Sequence, residues 1–346
     1  MNIRHLARLA GLSPSSVSLA LRDSPKISAA TKAQVRRLAE QVGYRSDARV
    51  VAMMRHLRKP AAVRESACFA VMSFYPGRQP WEQSLHGIRI YAGMTRRAAE
   101  LGYRLEPLWL RSPGMTYRRF RGILEARGIE GILCFGSPNF DEEFPAELSR
   151  CAIVTVGLSL RTPLHRVVSD SFSDTMTALD RLQRLGYHRP GLVISSYEEL
   201  RGAHKHTAAY LGWCEHRLGQ AAALPILRLD LVEPAALLTW LKRERPDSLV
   251  FVHQGDVLAD LRALLRRHRV RVPKNLGVLA ISPTLAEPPG FAGLQENQLM
   301  MGVRAVELLA ARIANHDLGI PRFPRTELVE SLWQDGPSLR PVAVNS

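Results

Sequence analysis

LARLAGLSPSSVSLALRDSPKISAATKAQVRRLAEQVGY, residues 6–44, contains three short helices and two sharp turns. Asn2 can cap a first helix running through Ala10, with Ile3, Leu6, Ala7 and Ala10 on one face. Gly11 follows where the chain must turn sharply, because glycine accepts positive φ without a Cβ clash. Ser13 caps a second helix with Pro14 at its first position, where the missing N–H does no harm. Val17, Ala20 and Leu21 face inward. Ser28 caps a third helix, in which Val35, Leu38, Ala39 and Val42 recur at helical spacing before Gly43 ends it. The small Ala7 lets two helices cross closely, Gly11 makes the turn and Val17 plugs the joint. That is helix-turn-helix logic, in which the second helix enters a DNA major groove; a generic three-helix bundle is the plainer alternative.

Charge favours the first of these. Residues 1–60 hold twelve Lys or Arg against Asp23, Glu40 and Asp47, so +9 of the chain's formal +15 lies in its first sixty residues of 346. A basic segment of this kind suits phosphate contact or an anionic surface. The first residues lack the apolar run of a signal peptide, and no apolar stretch reaches membrane-spanning length, so a soluble cytoplasmic protein without membrane contact is expected. Cys68, Cys134, Cys151 and Cys214 form no metal-ligand spacing and are expected as reduced core thiols. Phosphate-loop, nucleophile-elbow and zinc-protease motifs are absent, which argues against an enzyme, and no cofactor is expected.

With these residues in view, the segment 3–59 resembles the headpiece of the LacI/GalR family of bacterial regulators, down to the closing Gly43-Tyr44. The resemblance assigns base-edge contacts to Pro14, Ser15 and Leu19, with Ser16 and Ser18 as further polar candidates. Serine bonds to any base and leucine touches only a thymine methyl, so DNA shape is expected to carry much of the specificity. Asn2, Ser13, Arg22, Lys26, Ser28, Thr31 and Tyr44 fall at phosphate-contacting places. For Ser13 and Ser28, helix capping alone is the alternative, and the two roles can coexist. The family's hinge helix corresponds to Ser46–Met54, with Met53 at the minor-groove wedge position.

After Arg58-Lys59-Pro60, short apolar runs alternate with amphipathic stretches. Strands are expected at 68–74, 103–110, 131–136, 152–158, 191–195, 225–231, 248–253 and 276–282. Helices are expected near 82–101, 116–128, 171–185, 203–219 and 256–268, with another before 248. Strands alternating with helices of this length indicate parallel sheets with right-handed crossovers. The series is too long for one small sheet, so two α/β lobes across a cleft are expected. Ligands of such sheets gather beyond the strands' carboxyl ends. That rule selects Tyr75, Trp81, Ser137, Asn139 and Asp170, then Ser195, Ser196, Tyr197, His204, His206, His253 and Gln254. For Trp81, packing or a dimer face is the alternative; for Asp170 it is helix capping. The histidines lack a third ligand at diagnostic spacing, so no metal site is expected.

Residues 66–340 resemble the same family's effector domain, similar to periplasmic sugar-binding proteins, through LGYHRPGLVIS, RVPKNLGVLAIS and LVESLWQDGPSLR. The expected architecture is an all-α helix-turn-helix headpiece (1–46), a hinge and linker (47–60), and a two-lobed periplasmic-binding-protein-like α/β domain (61–346). Within that domain the first lobe is drawn at about 66–161 plus 285–318, and the second at about 163–284 plus 321–340. The resemblance implies a repressor that binds a pseudo-palindromic operator in double-stranded DNA as a homodimer, gated by a small-molecule effector. Sugar-binding relatives usually carry arginine where this chain has His206 and aspartate where it has Gln254, so a sugar is one effector class among several. No leucine-rich heptad follows Arg340, which favours a dimer over a tail-mediated tetramer. An architectural DNA binder without effector control and a solute-binding protein are the alternative readings.

Overall fold

The computed structural model describes residues 3–21, 27–42, 67–219, 223–230, 233–253, 255–282 and 290–341. The chain divides into two compact units, Met1–Arg64 and Glu65–Ser346.

In the first unit, α1 spans Ile3–Ala10, α2 Pro14–Leu21 and α3 Ala29–Gln41. Gly11 sits at φ +67°, the left-handed turn expected of it. Leu6, Val17, Ala20 and Val35 are fully buried beside Ala7, Ala10 and Ala39. Burying each larger member of this cluster stabilises the unit by about 1.5–3 kcal/mol. Ser28 caps α3 by accepting from the Thr31 N–H at 3.2 Å.

The second unit holds two six-stranded sheets. The first comprises β1 (Cys68–Met72), β2 (Arg104–Pro107), β3 (Gly131–Cys134), β4 (Ala152–Val156), β5 (His165–Ser169) and β11 (Thr326–Val329), in the order β11-β5-β4-β3-β1-β2, all parallel. The second comprises β6 (Pro190–Ile194), β7 (Leu227–Arg228), β8 (Ser248–Val252), β9 (Gly277–Ser282), β10 (Ala292–Gln295) and β12 (Leu332–Gln334), in the order β12-β10-β9-β8-β6-β7. Only its β10–β12 pair is antiparallel.

Helices cover both faces of each sheet, which is why the strands read as nearly unbroken apolar runs. On the first sheet, α4 (Leu85–Glu100) and α11 (Gln298–Ala314) bury Ile90, Met94, Ala305 and Leu309 on one face, and α5 (Tyr117–Ala126) buries Phe120 and Leu124 on the other. On the second, α6 (Ser171–Arg184) and α8 (Lys205–Leu218) contribute Leu179, Leu182, Tyr210 and Trp213. The short α7 (Ser196–Arg201) precedes α8. Opposite them lie α9 (Pro234–Glu244) and α10 (Gly255–Arg267), with Leu237, Trp240 and Leu261. The crossing of α4 and α11 is unusually close. A Cβ at Gly93 would stand 2.0 Å from the Leu299 carbonyl oxygen, and one at Gly302 2.0 Å from that of Ile90.

Strand pairing corrects the expected lobe limits. The run at 165–169 stays in the first sheet, 292–295 joins the second, and 326–329 returns to the first. The chain therefore passes between lobes near residues 170, 296 and 330, not near 163, 285 and 320. Each crossover follows a strand end, because a strand stays with the sheet that supplies its hydrogen bonds. Three further expectations are revised. The run at 225–231 pairs over only two residues, the element series does not close at 282, and the helix expected from 82 is broken at Ser84 into a single turn, Pro80–Gln83, and α4. Among the described residues no helix is long and apolar enough to cross a membrane.

Candidate functional site

In the first unit, α2 presents its opening turn outward. Ser13 and Pro14 are exposed, Ser16 and Leu19 are half-buried, and Val17 and Ala20 anchor the helix beneath them. Ser13 Oγ accepts from the Ser16 N–H at 3.0 Å and lies 2.9 Å from Ser16 Oγ. Ser28 Oγ stands 2.8 Å from Thr31 Oγ1. Both serines thus cap helices, and a cap leaves the first N–H groups of a helix pointing outward, where an anion is favoured. Ser15 and Ser18 lie on α2, but their side chains fall outside the described residues, as do Asn2, Arg22, Lys26, Tyr44, Met53, the 47–60 hinge and Gln254.

In the second unit, a cavity of about 550 Å³ opens between the lobes at the carboxyl ends of both sheets, within the usual range for small-molecule sites. The first lobe supplies Tyr75, Trp81, His86, Phe135, Phe140 and Ser159; the second supplies Tyr197 and Arg201. Trp81 is only 3% exposed and stacks with Phe135 at 5.0 Å and with Tyr91 at 5.5 Å between ring centroids. Its indole Nε1 has no hydrogen-bond partner among the described residues. Tyr197 reaches across the cleft, edge-on to Phe140 at 6.0 Å and hydrogen-bonded to Tyr75. Burial, then Tyr197, push the Tyr75 phenol well above its ordinary value.

Arg201 closes the floor. It donates to Glu198 at 3.1 Å and to both carboxylate oxygens of Glu296 at 3.0 and 3.1 Å. His86 Nδ1 lies 3.3 Å from Glu296. Burial opposes ionisation of Glu296, yet Arg201 and then His86 hold its carboxyl far below the usual carboxylate range. Glu296 sits at the second crossover, so an ion-pair cluster joins α7 of the second lobe, the crossover and α4 of the first.

The other crossovers converge nearby. Ser331 at the third donates to Asp174 on α6 at 2.7 Å and lies 3.4 Å from Ser169 at the first. Burial raises the Asp174 carboxyl to about 7, against the Ser331 hydrogen bond. The neighbouring Thr175 hydroxyl lies 2.8 Å from His206 Nδ1, and burial lowers that imidazole to about 4.

Of the ligand candidates expected from the sequence, Tyr75, Trp81 and Tyr197 line the cavity. Ser137, Asn139, Asp170, Ser195, Ser196, His204, His206 and His253 are not among its lining residues. Asp170 caps α6 by accepting from the Ser173 N–H at 3.2 Å, and Ser195 caps α7 by accepting from that of Glu198 at 3.1 Å. Ser196 donates its N–H to Asp230 at 2.7 Å. Ser137 is buried, with its N–H on Ser159 Oγ at 2.9 Å and its own Oγ accepting from the Asn139 N–H. His253 Nε2 stands 3.1 Å from the Asp230 carbonyl, and His204 Nδ1 2.9 Å from Glu199. Sequence reasoning missed His86, Phe140, Ser159, Arg201 and Glu296. The strand-end rule reached Tyr197 but stopped one turn short of Arg201, and it passed over the carboxyl end of β4, where Ser159 lies.

A helix-turn-helix unit joined to a two-lobed ligand-binding domain defines a DNA-binding transcription regulator with an effector-binding domain. Residues 2–47 match the model of bacterial regulatory proteins, lacI family, and residues 179–330 match that of the periplasmic binding protein-like domain. The chain belongs to the LacI/GalR family. Solved structures agree in fold. A transcriptional regulator CelR–cellobiose complex is similar at 20% identity and a TM-score of 0.57, over 98% of this chain and 99% of that one. The Lac repressor dimer bound to operator and the anti-inducer ONPF is similar at 16% and 0.54, over 98% of each chain. The transcription regulator CcpA of Lactococcus lactis is similar at 15% and 0.55, over 79% of this chain and all of that one. No curated protein sequence matches.

Proposed function

We propose that this regulator is a cytoplasmic repressor that binds a pseudo-palindromic operator as a homodimer, with its operator affinity set by a small molecule held between the lobes. The observation that carries the effector part is the cavity of about 550 Å³ walled by both lobes. A molecule bound there touches Tyr197 and Arg201 on one side and Tyr75 and Phe135 on the other, so it binds the closed arrangement of the lobes more tightly than an open one. Such differential affinity is the only means by which a ligand shifts a conformational equilibrium. The three crossovers are the segments about which the lobes turn. Pro14, Ser15, Ser16, Ser18 and Leu19 on α2 are proposed to face the bases, and Ser13, Ser28 and Thr31 the phosphates.

The test is selection of bound sites from a random duplex library by the full-length protein at about physiological salt, followed by a metabolite screen on the selected operator. A two-fold consensus, and a compound whose effect on operator affinity is lost in Tyr197→Ala, support the proposal. An unstructured selection overturns the operator assignment. An effector response that survives Tyr197→Ala overturns the cavity assignment.

A further inference from the structure

The cavity described above differs in charge and hydrogen bonding from one built to grip hydroxyl groups or anions. Its one cationic side chain among the described lining residues, Arg201, is taken by two carboxylates, Glu198 and Glu296, so with His86 neutral the floor carries one net negative charge. Glu198 Oε1 is buried without a hydrogen-bond partner, so even this cluster leaves acceptor capacity over, not donors. The wall hydroxyls are engaged as well. Ser84 Oγ accepts from the Gly87 N–H at 3.1 Å, Ser159 Oγ accepts from that of Ser137 at 2.9 Å, and the Tyr75 and Tyr197 hydroxyls bond to each other. Gln83 contributes the single amide side chain of the lining.

What the cavity offers freely is aromatic surface and one orphan donor. Phe140 and Tyr197 meet edge-on across the cleft, and Trp81 Nε1 is buried in the wall with no acceptor. A buried donor without a partner is costly, by roughly 1–3 kcal/mol, and a ligand acceptor removes that cost. A saccharide would forfeit water at every ring hydroxyl and find few groups to replace it. An anion would meet a floor already negative and poorly solvated.

Resting on the reading of this cavity as the effector site, we infer that its effector is an uncharged, planar aromatic molecule with one carbonyl-type acceptor, the acceptor meeting Trp81 Nε1 and the ring held by Tyr197, Tyr75 and Phe140. Saccharides and carboxylated or phosphorylated compounds are discriminated against.

A matched pair of probes separates charge from shape. Binding of 2-naphthamide and 2-naphthoate to the full-length protein is measured by calorimetry and thermal shift, with cellobiose and glucose 6-phosphate alongside. The amide is expected to bind at least tenfold more tightly than the carboxylate, and both sugars to leave the melting temperature unchanged. Tyr197→Ala should abolish amide binding. Glu198→Gln, which removes one negative charge from the floor, should narrow the amide-to-carboxylate ratio. Equal or tighter naphthoate binding overturns the inference. Binding of cellobiose or glucose 6-phosphate that is lost in Tyr197→Ala also overturns it, while leaving the cavity as the effector site. A wholly silent set overturns both.

Discussion

Ser331 Oγ donates to Asp174 Oδ2 at 2.7 Å, so a hydroxyl at the third crossover holds a buried carboxyl at the start of the second lobe's first helix. Asp174 is followed in sequence by Thr175, whose hydroxyl meets His206 Nδ1 at 2.8 Å. Two titratable groups are therefore buried side by side with opposite proton preferences. Asp174 faces Glu296 and Asp170; His206 faces Glu296, Arg201, Glu199 and Lys205.

Their linkage to stability has opposite signs. Burial raises Asp174 from 3.8 to about 7, so the folded state retains a proton that the unfolded chain loses, and this contribution falls as pH rises through that window. Burial lowers His206 from 6.5 to about 4, so the unfolded chain binds the extra proton, and this contribution is lost as pH falls below 6.5. Each slope is about 1.4 kcal/mol per pH unit, and between pH 4 and 6.5 they cancel. Urea unfolding of the wild type should show little pH dependence from these two sites in that range. Asp174→Asn should unmask stability that rises with pH, and His206→Gln stability that falls. Parallel slopes in the two variants would refute the pairing.

Arg201 is held by two buried carboxylates, so Arg201→Met should destabilise the second unit by about 3–5 kcal/mol, chiefly by leaving those charges unpaired. Adding Glu296→Gln to that variant should restore part of the loss. Chemical denaturation of the two variants measures the recovery; a double variant no better than the single would show that the charges do not interact.

The α4–α11 crossing tolerates no side chain at Gly302. Gly302→Ala places a methyl against the Ile90 carbonyl and should cost about 1–3 kcal/mol through overpacking. Gly122, on the outer helix α5, meets nothing within 4 Å of an added Cβ. Gly122→Ala should instead stabilise by about 0.5–1 kcal/mol. Melting curves of the two alanine variants should move in opposite directions.

Capping and phosphate contact at Ser13 can be separated by charge. Ser13→Ala removes the acceptor for the Ser16 N–H and should cost about 1 kcal/mol of headpiece stability. Ser13→Asp restores the acceptor but sets an anion where a phosphate would approach. Its melting should match wild type while DNA affinity falls. Unchanged affinity for the aspartate variant would place Ser13 away from the DNA backbone.

The three headpiece helices were legible because each signal is local: Ser28 caps its own helix, and Gly11 makes its own turn. The alternating strands were legible because helices on both faces make β1, β4 and β8 almost wholly apolar. The lobe limits were not, since which sheet receives the run at 165–169 depends on pairing with β4 and β11, far away in sequence. The site was half legible for the same reason. Aromatic residues just after strands announced Tyr75 and Tyr197. The floor depends on Arg201 meeting Glu296, ninety-five residues on, and neither residue has a local signature.

The three passages between lobes also dictate how this protein can be taken apart or recombined. Neither lobe is a continuous stretch of gene. The segment from Thr326 to Gln334 gives an edge strand to each sheet within nine residues. A stop codon placed just before it would fray both halves at once, and a chimera that borrows one lobe from a relative must be spliced at three separate joints.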